Sequence, residues 1–273
     1  MQIQRMPNLG ALVSDVDVRT LDNAAFAKIY QTWLACNVIC VRDQSLEIPD
    51  FLNYSRRFGL LCPHPSKVTR HAEYPELTVM GINKFRADGS LDNAVYRRGA
   101  EGFHTDGSYE EVPFKATQLY GVAIPDRGGD TLFSSAYAVW DELPQRLKAR
   151  LEGRMGTFKY GGRKRLNALL NEEDRHEQPV RHPLVQVHPE TGRTLLYFDQ
   201  GKILAIEGYS AEESVSIIAE MEAYMVSPPC QYRHQWRKGD VVIWDNRCSY
   251  HKAAGDYPPE QDRIHWRVSI KSH

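Results

Sequence analysis

The stretch Ala116-Thr117-Gln118-Leu119-Tyr120-Gly121-Val122-Ala123-Ile124 is rich in residues that favour β-strands. The turn signal Pro125-Asp126-Arg127-Gly128-Gly129 ends it, and the short run Thr131 to Phe133 follows at once, which predicts two successive strands. Many short strands separated by such turns are typical of a jelly-roll sandwich. Further strands are predicted at Leu77 to Ile82, Thr194 to Phe198, Val241 to Trp244 and Trp266 to Ile270.

Helical patterns flank and interrupt this β-rich part. Two further strands are predicted near the N-terminus, at Leu12 to Val18 and Val38 to Val41. Because no linker or repeat stands out, we predict one domain over residues 1–273, mainly β with flanking helices. The four predicted helices run from about Ala24 to Ala35 with Asp22 as its cap, from Pro49 to a stop at Gly59, from Tyr137 to Glu152, and from Ser210 to Met225 with a capping box at its start.

Composition narrows the class of protein. Of the 273 residues, 42% are hydrophobic and 25% charged, and the net charge is −1, which does not favour nucleic acid or an anionic membrane as a partner. No run of 18 apolar residues could span a bilayer, and the N-terminus lacks an apolar signal core. Five cysteines without framework spacing argue against a disulfide-stapled secreted fold. We therefore expect a cytoplasmic protein.

The segment Phe103-His104-Thr105-Asp106-Gly107 carries the main chemical signal. On an extended backbone, residues i and i+2 point to the same face, so His104 and Asp106 can address one metal ion. His251, which follows the strand Val241 to Trp244 and a turn, is the best candidate for a third ligand. Two histidines and one carboxylate suit a non-haem iron with open positions, although zinc could accept the same set. Alternatively, Asp106 is a turn residue before Gly107, and His104 is a hydrogen-bonded core histidine.

Two arginines beyond His251 suit an anionic co-substrate. Arg263 and Arg267 are four residues apart and would share one side of a strand. A guanidinium binds a carboxylate bidentately, and Thr131 could add a hydroxyl to the same carboxylate. Alternatively, both arginines pair with nearby acids such as Asp256 or Glu260. Phe103, Tyr109 and Trp244 either line the site or belong to the ordinary core.

Taken in order along the chain, these motifs resemble the taurine dioxygenase / 2,4-dichlorophenoxyacetate dioxygenase family of iron(II)/2-oxoglutarate enzymes, over nearly the whole length. Several motifs in the family's order are stronger evidence than any one of them. The resembling segments are Leu9-Gly10-Ala11, Val38 to Gln44, Phe58-Gly59, His64-Pro65, Phe103 to Asp106, Gly128 to Phe133, His182 to Val185 with His188 to Gly192, and Trp244 to Arg267.

The resemblance implies a role for each matching residue. His104, Asp106 and His251 correspond to the iron ligands, and Thr131 and Arg263 to the residues that bind the distal carboxylate of 2-oxoglutarate. Arg267 and His64 match substrate-contacting residues. The family also implies a double-stranded β-helix (a cupin-like jelly roll), a homo-oligomer that is a dimer or tetramer, and a small-molecule substrate. The expected reaction uses Fe(II), 2-oxoglutarate and O2 to oxidise, by hydroxylation, a small anionic substrate with release of succinate and CO2.

One departure bears on the substrate. Taurine-specific members carry an asparagine four residues before the first metal histidine, where this chain has Ala100. The missing amide argues against taurine itself. Arg97 and Arg98 lie close by in sequence and would add positive charge near the pocket mouth.

Three alternatives remain open at this point. The same cofactor chemistry could carry out oxidative tailoring of a natural-product intermediate, by desaturation, epoxidation or oxidative decarboxylation. The chain could instead be a non-catalytic jelly-roll protein that binds a ligand, although an intact ligand set argues against this. A zinc hydrolase would use the same three side chains without consuming O2 or 2-oxoglutarate.

Overall fold

The central strands are the apolar runs that the sequence predicts to be strands. In a computed structural model, which describes residues 1–63, 70–81, 102–160, 162, 178–258 and 260–272, these runs pair into a large sheet. The strands are β1 (Gln2–Arg5), β2 (Ala11–Ser14), β3 (Val38–Val41), β4 (Leu60–Cys62), β5 (Thr78–Met80), β6 (Ala116–Ala123), β7 (Thr131–Ser135), β8 (Met155–Phe158), β9 (Val180–Pro183), β10 (Val185–Val187), β11 (Thr194–Leu196), β12 (Ile203–Ile206), β13 (Gln231–His234), β14 (Val241–Asp245), β15 (Ser249–Ala253) and β16 (Ile264–Lys271).

Two sheets face each other. The large sheet has the order β1-β2-β3-β14-β6-β16-β4, with β5 also paired to β16, and the smaller one has the order β13-β7-β15. Apolar side chains from both fill the space between them, Leu119, Val242 and Trp244 from the large sheet and Phe133 from the small one. This arrangement confirms the predicted fold class, a mainly β double-stranded β-helix with flanking helices.

Helices cover the outer faces of both sheets. They are α1 (Asn23–Cys36), α2 (Ile48–Arg56), α3 (Ala136–Glu142), α4 (Gln145–Leu151) and α5 (Ala211–Met225). On β14, Val241 and Ile243 face the cluster formed with α1 and α2, whereas Val242 and Trp244 face the space between the sheets. Both faces are buried, which explains why the strand is a continuous apolar run rather than an alternating one.

Two predictions of local structure need correction. The expected helix Tyr137 to Glu152 is two helices, because Pro144 has no backbone N–H and forces Leu143 into an extended conformation, φ −61° and ψ 136°. The expected strand Leu12 to Val18 ends at Ser14, and a 3-10 turn begins at Val18. The helices capped by Asp22 and Ser210 are confirmed, and Ser210 forms the expected capping box with Glu213.

None of the helices in the described ranges combines the length and the apolar character needed to cross a bilayer.

The Asp22 cap offers a test of this local structure. The Asp22 carboxylate accepts a 2.7 Å hydrogen bond from the backbone N–H of Ala25 at the start of α1. We expect Asp22→Ala to lower the free energy of unfolding by about 1 kcal/mol, because one helix N–H loses its partner. Asp22→Asn keeps the acceptor and should stay within a few tenths of a kcal/mol of the parent. Urea denaturation of the three proteins measures this, and an equal loss in both variants would contradict the assignment.

Candidate metal centre

His104 and His251 are held side by side by an antiparallel bridge between two backbone segments. The His104 N–H donates to the His251 carbonyl at 3.1 Å, and the His251 N–H donates to the His104 carbonyl at 2.8 Å. Residues that exchange both hydrogen bonds lie directly opposite each other, so their side chains share a face. The two imidazole ring centroids are accordingly 4.2 Å apart. On its other edge β15 pairs with β7, which sets His251 opposite Phe133.

Asp106 completes the cluster that the sequence predicts. Its Oδ1 lies 3.9 Å from Nε2 of His104, and its Oδ2 lies 3.6 Å from Nε2 of His251. One ligand atom from each of the three residues lies within 4.8 Å of the other two. The structure therefore brings together three side chains that are separated by up to 147 positions in the sequence.

Buried polar groups hold the Asp106 carboxylate in place. Thr117 on β6 donates its hydroxyl to Asp106 Oδ2 at 2.7 Å, and the Asn246 amide donates to the Thr117 oxygen at 2.9 Å. The Trp244 indole N–H donates in turn to Asn246 Oδ1 at 2.9 Å. Sequence reasoning missed the roles of Thr117 and Asn246. The available signals were a hydroxyl inside the predicted strand Ala116 to Ile124 and the place of Asn246 in the family-like segment Trp244 to Arg267.

Gly107 permits the sharp turn after Asp106. Its φ is +78°, and a Cβ at this position would lie 2.8 Å from the Phe114 ring and backbone nitrogen. A larger residue would be strained and would displace Phe114. The glycine that suggested an ordinary turn is therefore also a condition for placing Asp106.

The electrostatics favour the metal-binding forms of Asp106 and His251. Burial alone would raise the pKa of Asp106, but Arg267, His251 and His104 together hold it well below its ordinary value. Burial, with the nearby His104, lowers the pKa of His251 well below its ordinary value. His104 donates from Nδ1 to the Gly102 carbonyl at 3.0 Å, which leaves the Nε2 lone pair facing the cluster. A carboxylate and neutral imidazoles are the forms that bind metals.

Two other groups of possible ligands are less suited to a metal ion. Cys40 lies with His234 and Asp240, and Cys248 lies with His188 and Asp245. Burial raises the pKa of both thiols well above the ordinary value, so neither is a thiolate. Their carboxylates are already paired with Arg42 and Arg247. In the part of the chain that the structure describes, the donor set of His104, Asp106 and His251 fits a metal best.

Arg263 lies in a separate part of the same interior. Its Nε donates to the Gly129 carbonyl at 2.6 Å, and its Nη2 lies 3.4 Å from the Thr131 hydroxyl oxygen. The side chain is buried, which lowers its pKa to about 10. Among the described residues, no carboxylate lies within 4.0 Å of it, because the nearby Asp256 pairs with Arg233 at 2.7 Å. The alternative pairing of Arg263 with Asp256 or Glu260 is therefore wrong.

Arg267 contacts the metal cluster itself. Its Nη2 lies 2.8 Å from Asp106 Oδ1, so the alternative of a pairing with Asp256 or Glu260 is wrong here as well. Tyr109 is buried with its ring 4.5 Å from that of Tyr160, and burial raises its pKa well above the ordinary value. Trp244 has its ring 4.5 Å from His251, whereas Phe103 packs into the core around α3 and α5.

Four residues named from the sequence cannot be assessed in this way. His64, Arg97, Arg98 and Ala100 lie outside the described residues. The expectation that His64 contacts the substrate therefore stays a prediction.

Comparison with known proteins places this chain in a family. The sequence profile of the "Taurine catabolism dioxygenase TauD, TfdA family" matches residues 2–269. The (S)-phenoxypropionate/alpha-ketoglutarate-dioxygenase of Sphingobium herbicidovorans is 31% identical over 277 residues, which cover 96% of this chain and 91% of that protein.

Solved structures agree with the sequence match. A taurine dioxygenase from Burkholderia xenovorans superposes with a TM-score of 0.82 at 26% identity, over 100% of this chain and 89% of the other. AAD-2 in complex with Mn(II) and N-oxalylglycine has a TM-score of 0.80 at 21% identity, over 100% and 98% of the two chains, and shows likeness of fold alone. Members of the matched family use Fe(II), 2-oxoglutarate and O2. The chain is therefore a member of the TauD/TfdA family and an Fe(II)/2-oxoglutarate-dependent dioxygenase.

Proposed function

We propose that His104, Asp106 and His251 hold the Fe(II) ion of this dioxygenase, within one catalytic domain over residues 1–273. The observation that carries the proposal is the convergence of their ligand atoms within 4.8 Å inside the space between the sheets. Two histidines and one carboxylate leave coordination positions for a co-substrate and O2. When bound, the iron supplies the oxidising chemistry that is coupled to decarboxylation of 2-oxoglutarate to succinate and CO2.

We propose that Arg263 and Thr131 anchor the distal carboxylate of 2-oxoglutarate. Arg263 is a buried cation without a carboxylate partner among the described residues, an arrangement that is costly unless an anion completes it. The Thr131 oxygen already accepts from the Trp236 indole at 2.9 Å and lies near Arg263, so its own hydrogen remains to donate. Guanidinium and hydroxyl together suit a carboxylate.

We propose that the substrate is a small organic anion, which is hydroxylated, and that Arg267 attracts its charged group. Arg267 contacts Asp106 at the metal cluster, where the Trp244 ring packs 4.5 Å from that of His251. A positive group next to aromatic walls suits an aryloxyalkanoate or a sulfonate. The similarity to an (S)-phenoxypropionate dioxygenase favours the aryloxyalkanoate class.

We also propose that the enzyme acts in the cytoplasm as a homo-oligomer on a small molecule, without a nucleic-acid or membrane partner. Its five cysteines are all free, which suits a reducing compartment. Light scattering on the purified protein measures the oligomeric state, and a monomer at micromolar concentration would contradict that part of the proposal.

The first prediction concerns the metal. His104→Ala should reduce 2-oxoglutarate-dependent succinate formation by roughly a hundredfold or more, because the metal loses a ligand. The measurement is succinate release under air with added Fe(II), together with calorimetric Mn(II) binding. His71→Ala, which removes an imidazole outside the cluster, is the matched control and should retain both properties. Unchanged Mn(II) binding in His104→Ala would refute the ligand assignment.

The second prediction concerns the anchor. Arg263→Lys should raise the KM for 2-oxoglutarate by about tenfold or more, because an ammonium cannot reproduce the bidentate contact. The Fe(II) concentration needed for half-maximal rate should change little. Arg237→Lys, an exposed arginine, serves as the control. A similar rise in the Fe(II) and 2-oxoglutarate requirements would mean that Arg263 acts on the whole site rather than on the dicarboxylate.

The third prediction concerns the substrate. Aryloxyalkanoates, sulfonates and amino-acid derivatives are screened by succinate release, and the best anion is compared with its neutral amide. Arg267→Gln should raise the KM for the anion by about tenfold and change that of the amide by less than about threefold. Because Arg267 also contacts Asp106, Mn(II) affinity is measured in parallel. An equal loss for anion and amide would argue that Arg267 only positions Asp106.

A further inference from the structure

His265 lies on the same face of the large sheet as the two site arginines. Arg263 directly precedes β16 and reaches Thr131 of the small sheet at 3.4 Å. His265 and Arg267 follow at alternate positions and share this face, so all three point into the space between the sheets. Trp266, Val268 and Ile270 point the other way, into the cluster covered by α1 and α2. Opposite β16, β6 has one extra residue, Val122, because Ala123 pairs with Ile264 and Gly121 pairs with His265. Since the extra residue is in β6, the alternation of side chains along β16 is not interrupted.

The imidazole of His265 is buried without hydrogen bonds. It has 0% exposure, and neither Nδ1 nor Nε2 has a partner within the described part of the chain. The two other fully enclosed histidines differ. His188 donates to Asp245 and accepts from backbone N–H groups, and His234 contacts Asp240 and the Tyr232 hydroxyl. Leaving a buried polar group unpaired costs stability, so an orphaned imidazole calls for a partner that is absent here.

The residues around His265 indicate where such a partner would bind. Its ring centroid lies 4.4 Å from that of Trp236, whose indole N–H donates to Thr131. Arg263 also lies near Thr131, at 3.4 Å, and its charge acts on His265. Burial first, and then Arg263 and His234, lower the pKa of His265 well below its ordinary value. The imidazole is thus neutral, and it keeps one N–H to donate.

We propose that His265 is a third contact for the dicarboxylate of 2-oxoglutarate, donating a hydrogen bond to the carboxylate held by Arg263 and Thr131. The proposal rests on the proposed function, because it assumes that Arg263 marks the carboxylate subsite. A neutral donor suits this place: it adds a hydrogen bond to the anion without repelling the neighbouring guanidinium. The competing explanation is that His265 only fills space against Trp236.

The test is calorimetric binding of N-oxalylglycine, a non-reacting dicarboxylate, to the Mn(II)-loaded enzyme. We expect His265→Leu to weaken binding about tenfold, since a hydrogen bond to a charged group is lost. His265→Gln retains an N–H donor and should stay within about threefold of the parent. The KM for 2-oxoglutarate should follow the same order with kcat nearly unchanged, and Mn(II) affinity should not move. His265→Phe, which also lacks a donor, replaces the leucine variant if that variant does not fold.

Stability provides an independent readout. Because the leucine removes an unpaired polar group, the Tm of the ligand-free protein should be unchanged or higher, while the rise in Tm on adding N-oxalylglycine should shrink. A lower ligand-free Tm, with equal weakening in the leucine and glutamine variants, would instead show that His265 is a packing residue.

Arg263→Ala distinguishes a failure of the His265 contact from a failure of the carboxylate subsite. If Arg263→Ala weakens N-oxalylglycine more than tenfold while His265→Leu binds like the parent, the contact by His265 is refuted and the anchor stands. If Arg263→Ala also binds like the parent, the assignment of the carboxylate subsite fails, and the proposal for His265 fails with it.

Discussion

The pair of backbone hydrogen bonds between His104 and His251 is the constraint on which the site depends. A shift of one residue in this pairing would turn one imidazole away from the other, because side chains alternate along extended chains. β15 cannot easily shift, since five of its residues pair with β7 on the opposite edge. The pairing of β15 with β7 therefore fixes the position of His251, and the two hydrogen bonds to His251 fix the position of the segment that contains His104 and Asp106.

The interior of this sandwich is unusual in holding charge as well as apolar side chains. Asp106 and Arg267 offset each other at 2.8 Å, Thr117 donates to the second oxygen of the carboxylate, and Asn246 donates to Thr117. Such groups lose hydration on burial, which opposes folding. Three apolar clusters surround and flank this region and supply the compensating burial. The polar site can exist because the sheets bury apolar side chains on their outer faces as well as between them.

Sequence reasoning identified the elements whose signal is local. The continuous apolar run Val241 to Trp244 became a buried strand, and the caps at Asp22 and Ser210 marked helix starts. It missed strands such as Gln231–His234 and Ser249–Ala253, whose mixed sequences become strands only because β7 lies between them. The spacing of His104 and Asp106 is local, so it predicted that the two side chains share a face. The hydrogen bond from Asn246 to Thr117 joins residues 129 positions apart, and no local spacing predicts it.

Arg263, directly before β16, and Arg267 within it show how much the alternation of side chains predicts. Their spacing predicted a shared face, but their partners, the Gly129 carbonyl, Thr131 and Asp106, come from distant parts of the chain. The same alternation places His265 on that face, and chemistry then distinguishes it from the other buried histidines. Where an imidazole serves the fold, as at His188 and His234, both ring nitrogens are satisfied by the protein. At His265 no described residue satisfies either ring nitrogen, and the proposed partner is the carboxylate of the ligand.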